Sequence, residues 1–274
     1  MTDSNLVYKF LSPDRRSFFS EPAVRFSPLN ALNDPFEGRA AVSGWCDLDT
    51  FKKYSDDILV EFVKVFGWTG DNLKAAQEAA RDNPEKVLAV IDEGKGKFPD
   101  AIREQHEKYG IGILSLSKNP GHELMWAHYA KNHTGFAVGM EPSAPFFKTS
   151  SWPDLQIFDF NEVKYHKIRP TIFFHDTKNN EILFFNCLFQ KSIPWEYESE
   201  WRAIIADVNK IEKNNIIGLV DLPIDIIGEV RLGFNVTSEI EKDALHFCHT
   251  HSIPLKKARL HKQKWVLEFD TVAF

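Results

Sequence analysis

The chain reads as an α+β protein, and three observations lead there. Strand-like stretches stand near both ends, a block with helical periodicity fills about residues 48–109, and a strand, tight turn, helix and strand follow within residues 111–140. In chain order, residues 6–11 predict a first strand and 23–27 a second, joined by a polar segment holding Arg15 and Arg16. The motif Asn33-Asp34-Pro35-Phe36-Glu37 begins as a turn, because Pro35 pushes Asp34 out of the helical region and Asn and Asp bond their own backbone. The motif reads either as a rigid turn with Phe36 as its plug or as a ligand contact. Phe51, Tyr54, Ile58, Leu59, Phe62 and Val63, then Val87, Leu88 and Ile91, recur at helical spacing, so 48–109 reads as a helical insertion between strands. Gly110 ends it. Residues 111–117 predict a strand, Lys118-Asn119-Pro120-Gly121 a break, 123–130 a helix that crosses one face of the sheet, and 135–140 a strand. Beyond these, strands are expected at 162–165, 199–207, 226–232, 253–260 and 265–272, and helices at 177–189 and 239–249. With no internal repeat, long linker or low-complexity segment, residues 1–274 read as a single catalytic domain.

Composition narrows the class. Hydrophobic residues at 43%, with 23 Phe and 7 Trp, supply enough apolar surface for a substantial core and exclude a disordered chain. A net charge of -6 argues against broad electrostatic binding to nucleic acid. Three cysteines are too few and too scattered for a disulfide framework, so a reducing compartment is the default. The N-terminus lacks the basic start and apolar core of a signal peptide, and no apolar stretch approaches the ~18 residues of a membrane span. The expectation is a cytoplasmic protein with no membrane partner, although export by a signal-independent route would leave no trace in the sequence.

The residue pattern offers several candidates for chemistry. Glu198 and Glu200 stand two apart before an apolar run, a spacing that puts both carboxylates on one face of a strand. Two like charges held together cost free energy unless a ligand, a cation or a hydrogen-bonding substrate uses them. The alternative is a solvated strand edge, with Arg202 as an ion-pair partner worth roughly 0 to 1 kcal/mol. Ser115 and Ser117 share a strand face, where their hydroxyls bond a ligand, a neighbouring carboxylate or strand-end backbone. Trp126 and Tyr129 lie at helical spacing on the next helix, as stacking partners for a heteroaromatic ring or as core, and His128 beside them reads as a structural or ligand-touching histidine. Lys9 places a cation in an apolar strand and needs an anionic partner, either a carboxylate or a phosphate. His246, Cys248, His249 and His251 crowd one helix end, but ligands from one short segment rarely complete a closed site, so no metal is expected. The absence of a phosphate loop, a His-Glu-x-x-His and a nucleophile elbow removes the commonest kinase, metalloprotease and esterase readings.

Taken in order, Val7-Tyr-Lys-Phe10, Arg25-Phe-Ser27 with Asn33-Asp-Pro-Phe-Glu37, Ile113-Leu-Ser-Leu-Ser117, Leu124-Met-Trp-Ala-His-Tyr-Ala130 and Glu198-Ser-Glu-Trp-Arg202 resemble a widespread bacterial family of uncharacterised proteins, over about residues 6–235. The same residues carry a more distant resemblance to ADP-ribosyltransferases, whose motifs are a basic or His residue on the first strand, a Ser-x-Ser strand followed by a helix, and a later Glu, often as Glu-x-Glu. That resemblance implies two short, strongly bent sheets forming a cleft, with outer helices. It implies NAD as co-substrate and transfer of ADP-ribose to a protein or nucleic-acid acceptor, with roles in bacterial toxicity, phage defence or competition and an inhibitor or immunity protein as a partner. Glu200 would bond the ribose, Glu198 would orient or deprotonate the acceptor, and Ser115 or Ser117 would support Glu200. Lys9 would meet phosphate or ribose, Trp126 or Tyr129 would pack on nicotinamide, and His128 would line the cofactor site. Lys9 departs from the Arg common at that place, since Lys lacks the bidentate fork. Two other classes stay open: a nuclease or other hydrolase built on Glu198, Glu200 and histidines, and a non-catalytic module that binds a nucleotide or peptide.

Overall fold

The computed structural model describes residues 5–67, 70–148, 157–179 and 185–273, which form two compact units. The first comprises the chain up to Asn33, Tyr109–Tyr165 and Lys191 onwards; the second comprises Asp34–Lys108 and His166–Gln190.

The first unit is built on a mixed sheet of nine strands: β1 (Val7–Leu11), β2 (Ser27–Pro28), β3 (Gly112–Ser117), β4 (Phe136–Met140), β5 (Ile157–Glu162), β6 (Glu200–Ile205), β7 (Ile227–Leu232), β8 (Leu255–Leu260) and β9 (Leu267–Thr271). Their order is β9-β8-β7-β4-β1-β3-β6-β5, with β2 also on β3. Neighbours are antiparallel except β7 and β8. Alternation explains the packing. Val7 and Leu11 of β1, Leu114 and Leu116 of β3, and Ala203 and Ile205 of β6 enter one large core with Phe247 of the helix Ser238–His251, while Tyr8 and Phe10 point into a smaller cluster beneath the helix Glu123–Tyr129.

The sheet is not uniformly paired. β1 and β4 pair from Val7↔Met140 to Leu11↔Phe136, and β3 and β6 from Ser117↔Glu200 to Gly112↔Ile205, but β1 and β3 are joined at Tyr8↔Ser117. Where that ladder stops, the Lys9 ammonium donates to the Ser115 carbonyl at 3.0 Å. The two separate bent sheets expected from the sequence are therefore one sheet, narrowed to a single residue pair at this seam.

The second unit contains the helices Leu48–Phe66, Gly70–Asp82, Pro84–Glu93 and Phe98–Lys108, as the periodicity of 48–109 predicts. Asp47 caps the first by accepting from the Thr50 N–H at 2.9 Å, and Gly67 closes it in the left-handed region. The strands Ala41–Gly44 and Thr171–Phe173 pair in parallel beside these helices. Trp45 is fully buried, with its ring 4.8 Å from Phe174 and 5.2 Å from Phe62. Asp34 accepts from the Phe36 N–H as the turn chemistry predicts, but Phe36 is 60% exposed, with Arg169 over its ring, and plugs nothing.

Two expected elements differ. The strand expected at 162–165 overlaps the last residue of β5 and a second short strand, Lys164–His166, and the helix expected at 177–189 falls partly outside the described residues, with helix at Phe174–Asn179 and at 185–186 before a 3-10 turn at Cys187–Phe189. Residues 180–184 lie outside the described residues.

Candidate functional site

The site lies in the first unit, where the start of β6 meets β3. Glu200 is the first residue of β6, but Glu198 ends a 3-10 turn, Ile193–Glu198. Ser199 between them has φ 42°, in the left-handed region, so the two carboxylates are not related by strand alternation. They are brought together instead by a lysine. The Lys191 ammonium donates to Glu198 Oε2 at 2.6 Å and to Glu200 Oε2 at 3.1 Å.

Neither carboxylate is solvated: Glu198 is 3% exposed and Glu200 4%. Arg202, also buried, grips Glu200 with Nε on Oε1 at 2.8 Å and Nη2 on Oε2 at 3.0 Å. The expected pair with Arg202 exists, but in the interior, where desolvation makes it a different object from a surface ion pair. The Tyr129 hydroxyl donates to Glu198 Oε1, and the Glu200 N–H donates to the Tyr165 hydroxyl at 2.8 Å.

The two acids are driven apart in proton affinity. For Glu198, burial raises the pKa and the Glu200 charge adds to it, with Lys191 pulling the other way, and the result lies above the usual carboxylate value. For Glu200, burial also pushes upward, but Arg202 and Lys191, with hydrogen bonds from Arg202 and Ser115, overcome it and bring the value down to about 2. One carboxylate is a fixed anion and its neighbour is able to take a proton, which is the arrangement that assigns acid and base roles in paired-acid sites.

The serines separate. Ser115 bonds the Glu200 carboxylate with its side chain, whereas Ser117 donates to the backbone carbonyl of Glu198 at 2.5 Å and accepts from the Asn119 N–H at 3.0 Å. Ser117 is thus a strand-end brace. Lys9 reaches the same place from β1 through the Ser115 carbonyl, and burial pushes its ammonium down to about 8 despite the opposing pull of Glu200. Trp126 is fully buried, edge-on to Phe10 at 5.1 Å and bonded through its indole N–H to the Pro120 carbonyl at 2.8 Å. It is a core residue with no open face for a ring to stack on. His128 is exposed, with Nδ1 3.0 Å from the Tyr197 hydroxyl.

No local pattern in the sequence marks Lys191, Tyr165 or the bond of Tyr129 to a carboxylate. Lys191 precedes Glu198 by seven residues across a strand and a 3-10 turn, a path with no periodicity to read. A second buried charge cluster, not among the expectations, has the same i, i+2 spacing: Glu229 and Arg231 on β7 pair with each other, and Glu229 also accepts from Lys256 at 2.5 Å and from the Tyr8 hydroxyl at 2.6 Å. Among the described residues no group of three or more His, Cys, Asp or Glu is placed to hold a metal ion. No described helix is long and apolar enough to cross a membrane.

Most of the residues that build this site lie in one stretch of the chain. Residues 125–203 match the model of a family described as protein of unknown function, DUF2971. The match begins on the helix of Trp126 and Tyr129 and ends just after Arg202, so Tyr129, Tyr165, Lys191, Glu198, Glu200 and Arg202 all fall inside it. It is shorter than the 6–235 span of the resemblance, and Lys9 and Ser115 lie outside it. No curated protein and no solved structure matches the chain. The DUF2971 stretch therefore supplies a family description without an activity.

Proposed function

We propose that the first unit is an NAD-dependent ADP-ribosyltransferase acting on a macromolecular acceptor. The observation that carries the reading is the meeting of Lys9, Ser115 and Glu200 on three successive strands, β1, β3 and β6: Ser115 bonds Glu200 with its side chain and Lys9 with its carbonyl. The narrowed pairing at Tyr8↔Ser117 sets this meeting at a seam in the sheet.

Breaking the nicotinamide–ribose bond develops positive charge on the ribose, and a carboxylate fixed in a low-dielectric setting favours that state. Glu200 is such a carboxylate. Its acceptor sites are taken by Arg202, Lys191 and Ser115, and Ser115 is the neutral one of these donors. A ribose hydroxyl that reaches Glu200, itself 4% exposed, would therefore take the place of Ser115 at lowest cost. Lys9 supplies a point charge suited to the diphosphate, without the two-pronged grip of an Arg.

The test is incubation of the folded protein with NAD labelled in the ADP-ribose moiety and a cell lysate. Label passing into protein or nucleic acid supports the reading, and no transfer together with no nicotinamide release ends it. Nucleic-acid cleavage without NAD would select the hydrolase class instead.

A further inference from the structure

Glu198 cannot meet a macromolecule directly. It is 3% exposed, and its oxygens are bonded by the Lys191 ammonium on one side and the Tyr129 hydroxyl on the other. Tyr129 is half-buried, and its hydroxyl accepts from Asn33 Nδ2 at 3.4 Å, on an exposed residue. A hydrogen-bonded line thus runs from the surface at Asn33 through Tyr129 to Glu198.

We propose that Tyr129 is the group that meets the acceptor nucleophile, with Glu198 acting through it as the proton store. The inference rests on the ADP-ribosyl transfer reading and gives Tyr129 a role other than packing on nicotinamide. In the step, the acceptor X–H gives its proton to the Tyr129 oxygen while the Tyr129 proton passes to Glu198 Oε1. The bond from X to the ribose carbon forms as the carbon–nitrogen bond breaks, and the electron pair leaves with nicotinamide, whose ring cation becomes neutral. The proton ends on Glu198.

The surroundings suit each partner to its part. Around Glu198 stand Lys191, Glu200, Tyr165 and Tyr197; around Tyr129 stand Glu198, Asn33 and Tyr197. Burial and the Glu200 charge make Glu198 readier than an ordinary carboxylate to hold a proton. Burial beside Glu198 raises the Tyr129 pKa, so the phenol does not ionise by itself and must gain one proton as it loses another.

The test compares pH profiles of transfer by the wild type, Tyr129→Phe, Glu198→Gln and the double variant, with thermal unfolding to confirm the fold. Each single variant is expected to lose at least about ten-fold in rate together with the same rising pH limb, and the double variant is expected to lose no more than either. A Tyr129→Phe protein that keeps the wild-type rate and limb, or a double loss equal to the product of the single losses, would overturn the relay. Should the wild type neither release nicotinamide nor transfer label, the activity reading fails while the Tyr129–Glu198 bond that the relay needs remains testable. Its infrared readout is the Glu198 carboxyl band, identified by its loss in Glu198→Gln, which should titrate at higher pH in Tyr129→Phe because the anion has lost a donor. An unmoved band contradicts the relay.

Discussion

Glu200 is held by two cations in the protein interior, and that makes it the residue whose loss is felt twice. Glu200→Gln takes from the buried Arg202 and Lys191 the anion they share, while Lys191 keeps Glu198, and removal of one member of a buried pair costs about 3–5 kcal/mol. A lowered Tm by thermal unfolding checks this, and an unchanged Tm would show that the charges are less desolvated than their burial implies. Lys191→Met has a different signature. Glu198 keeps Tyr129 but loses its cation, so its carboxyl should titrate at higher pH than in the wild type, as read by infrared titration. At this scale the sequence exposed the identity of the acids but not their environment. Arg202 was visible as a same-face partner; that the pair is buried depends on β3, β5 and Tyr165 around it, none of which is local to Glu200.

The helices within 48–109 and the longer strands such as β1, β3, β4, β6 and β7 were legible from their apolar spacing, as at Phe51, Ile58, Leu59 and Phe62, whereas most of β5 and short strands such as Ala41–Gly44 and Thr171–Phe173 were not. Placement failed where a single backbone torsion decides the geometry. Ser199 takes Glu198 off the strand, so the convergence with Glu200 that alternation predicts has another cause, Lys191. A second such place follows the helix Glu123–Tyr129, where Lys131, Asn132 and His133 all have positive φ, at about 1–2 kcal/mol each. This left-handed turn brings Gly135 against β1: a Cβ on Gly135 would lie 2.1 Å from the Leu11 carbonyl oxygen. Gly135→Ala should destabilise the unit by more than about 3 kcal/mol in denaturant unfolding, since backbone must move to admit the methyl group. A loss under about 1 kcal/mol would mean that β1 and β4 part easily.

At the scale of the whole molecule, the α+β class was legible from the order of periodic segments, while the sheet order was not. Nothing local tells that β1 lies between β3 and β4, yet that order is what joins Lys9 to Ser115 across more than a hundred residues of chain. The buried charges also set the pH response. Glu200 has a folded pKa of about 2 against an ordinary 4.5, so its contribution to stability is fully present above about 4.5 and is lost as pH falls toward 2. Lys9 acts at the other end: its folded value near 8 lies below the ordinary 10.5, so stability rises with pH between them as the folded state sheds that proton first. Denaturant unfolding across pH checks both slopes, and Lys9→Met should remove the alkaline one. Catalysis by Glu200 is checked by nicotinamide release from NAD, measured side by side for the wild type and folded Glu200→Gln. The geometry predicts release by the wild type and a loss of at least about 100-fold in the variant; equal release by both, or none by the folded wild type, would contradict it.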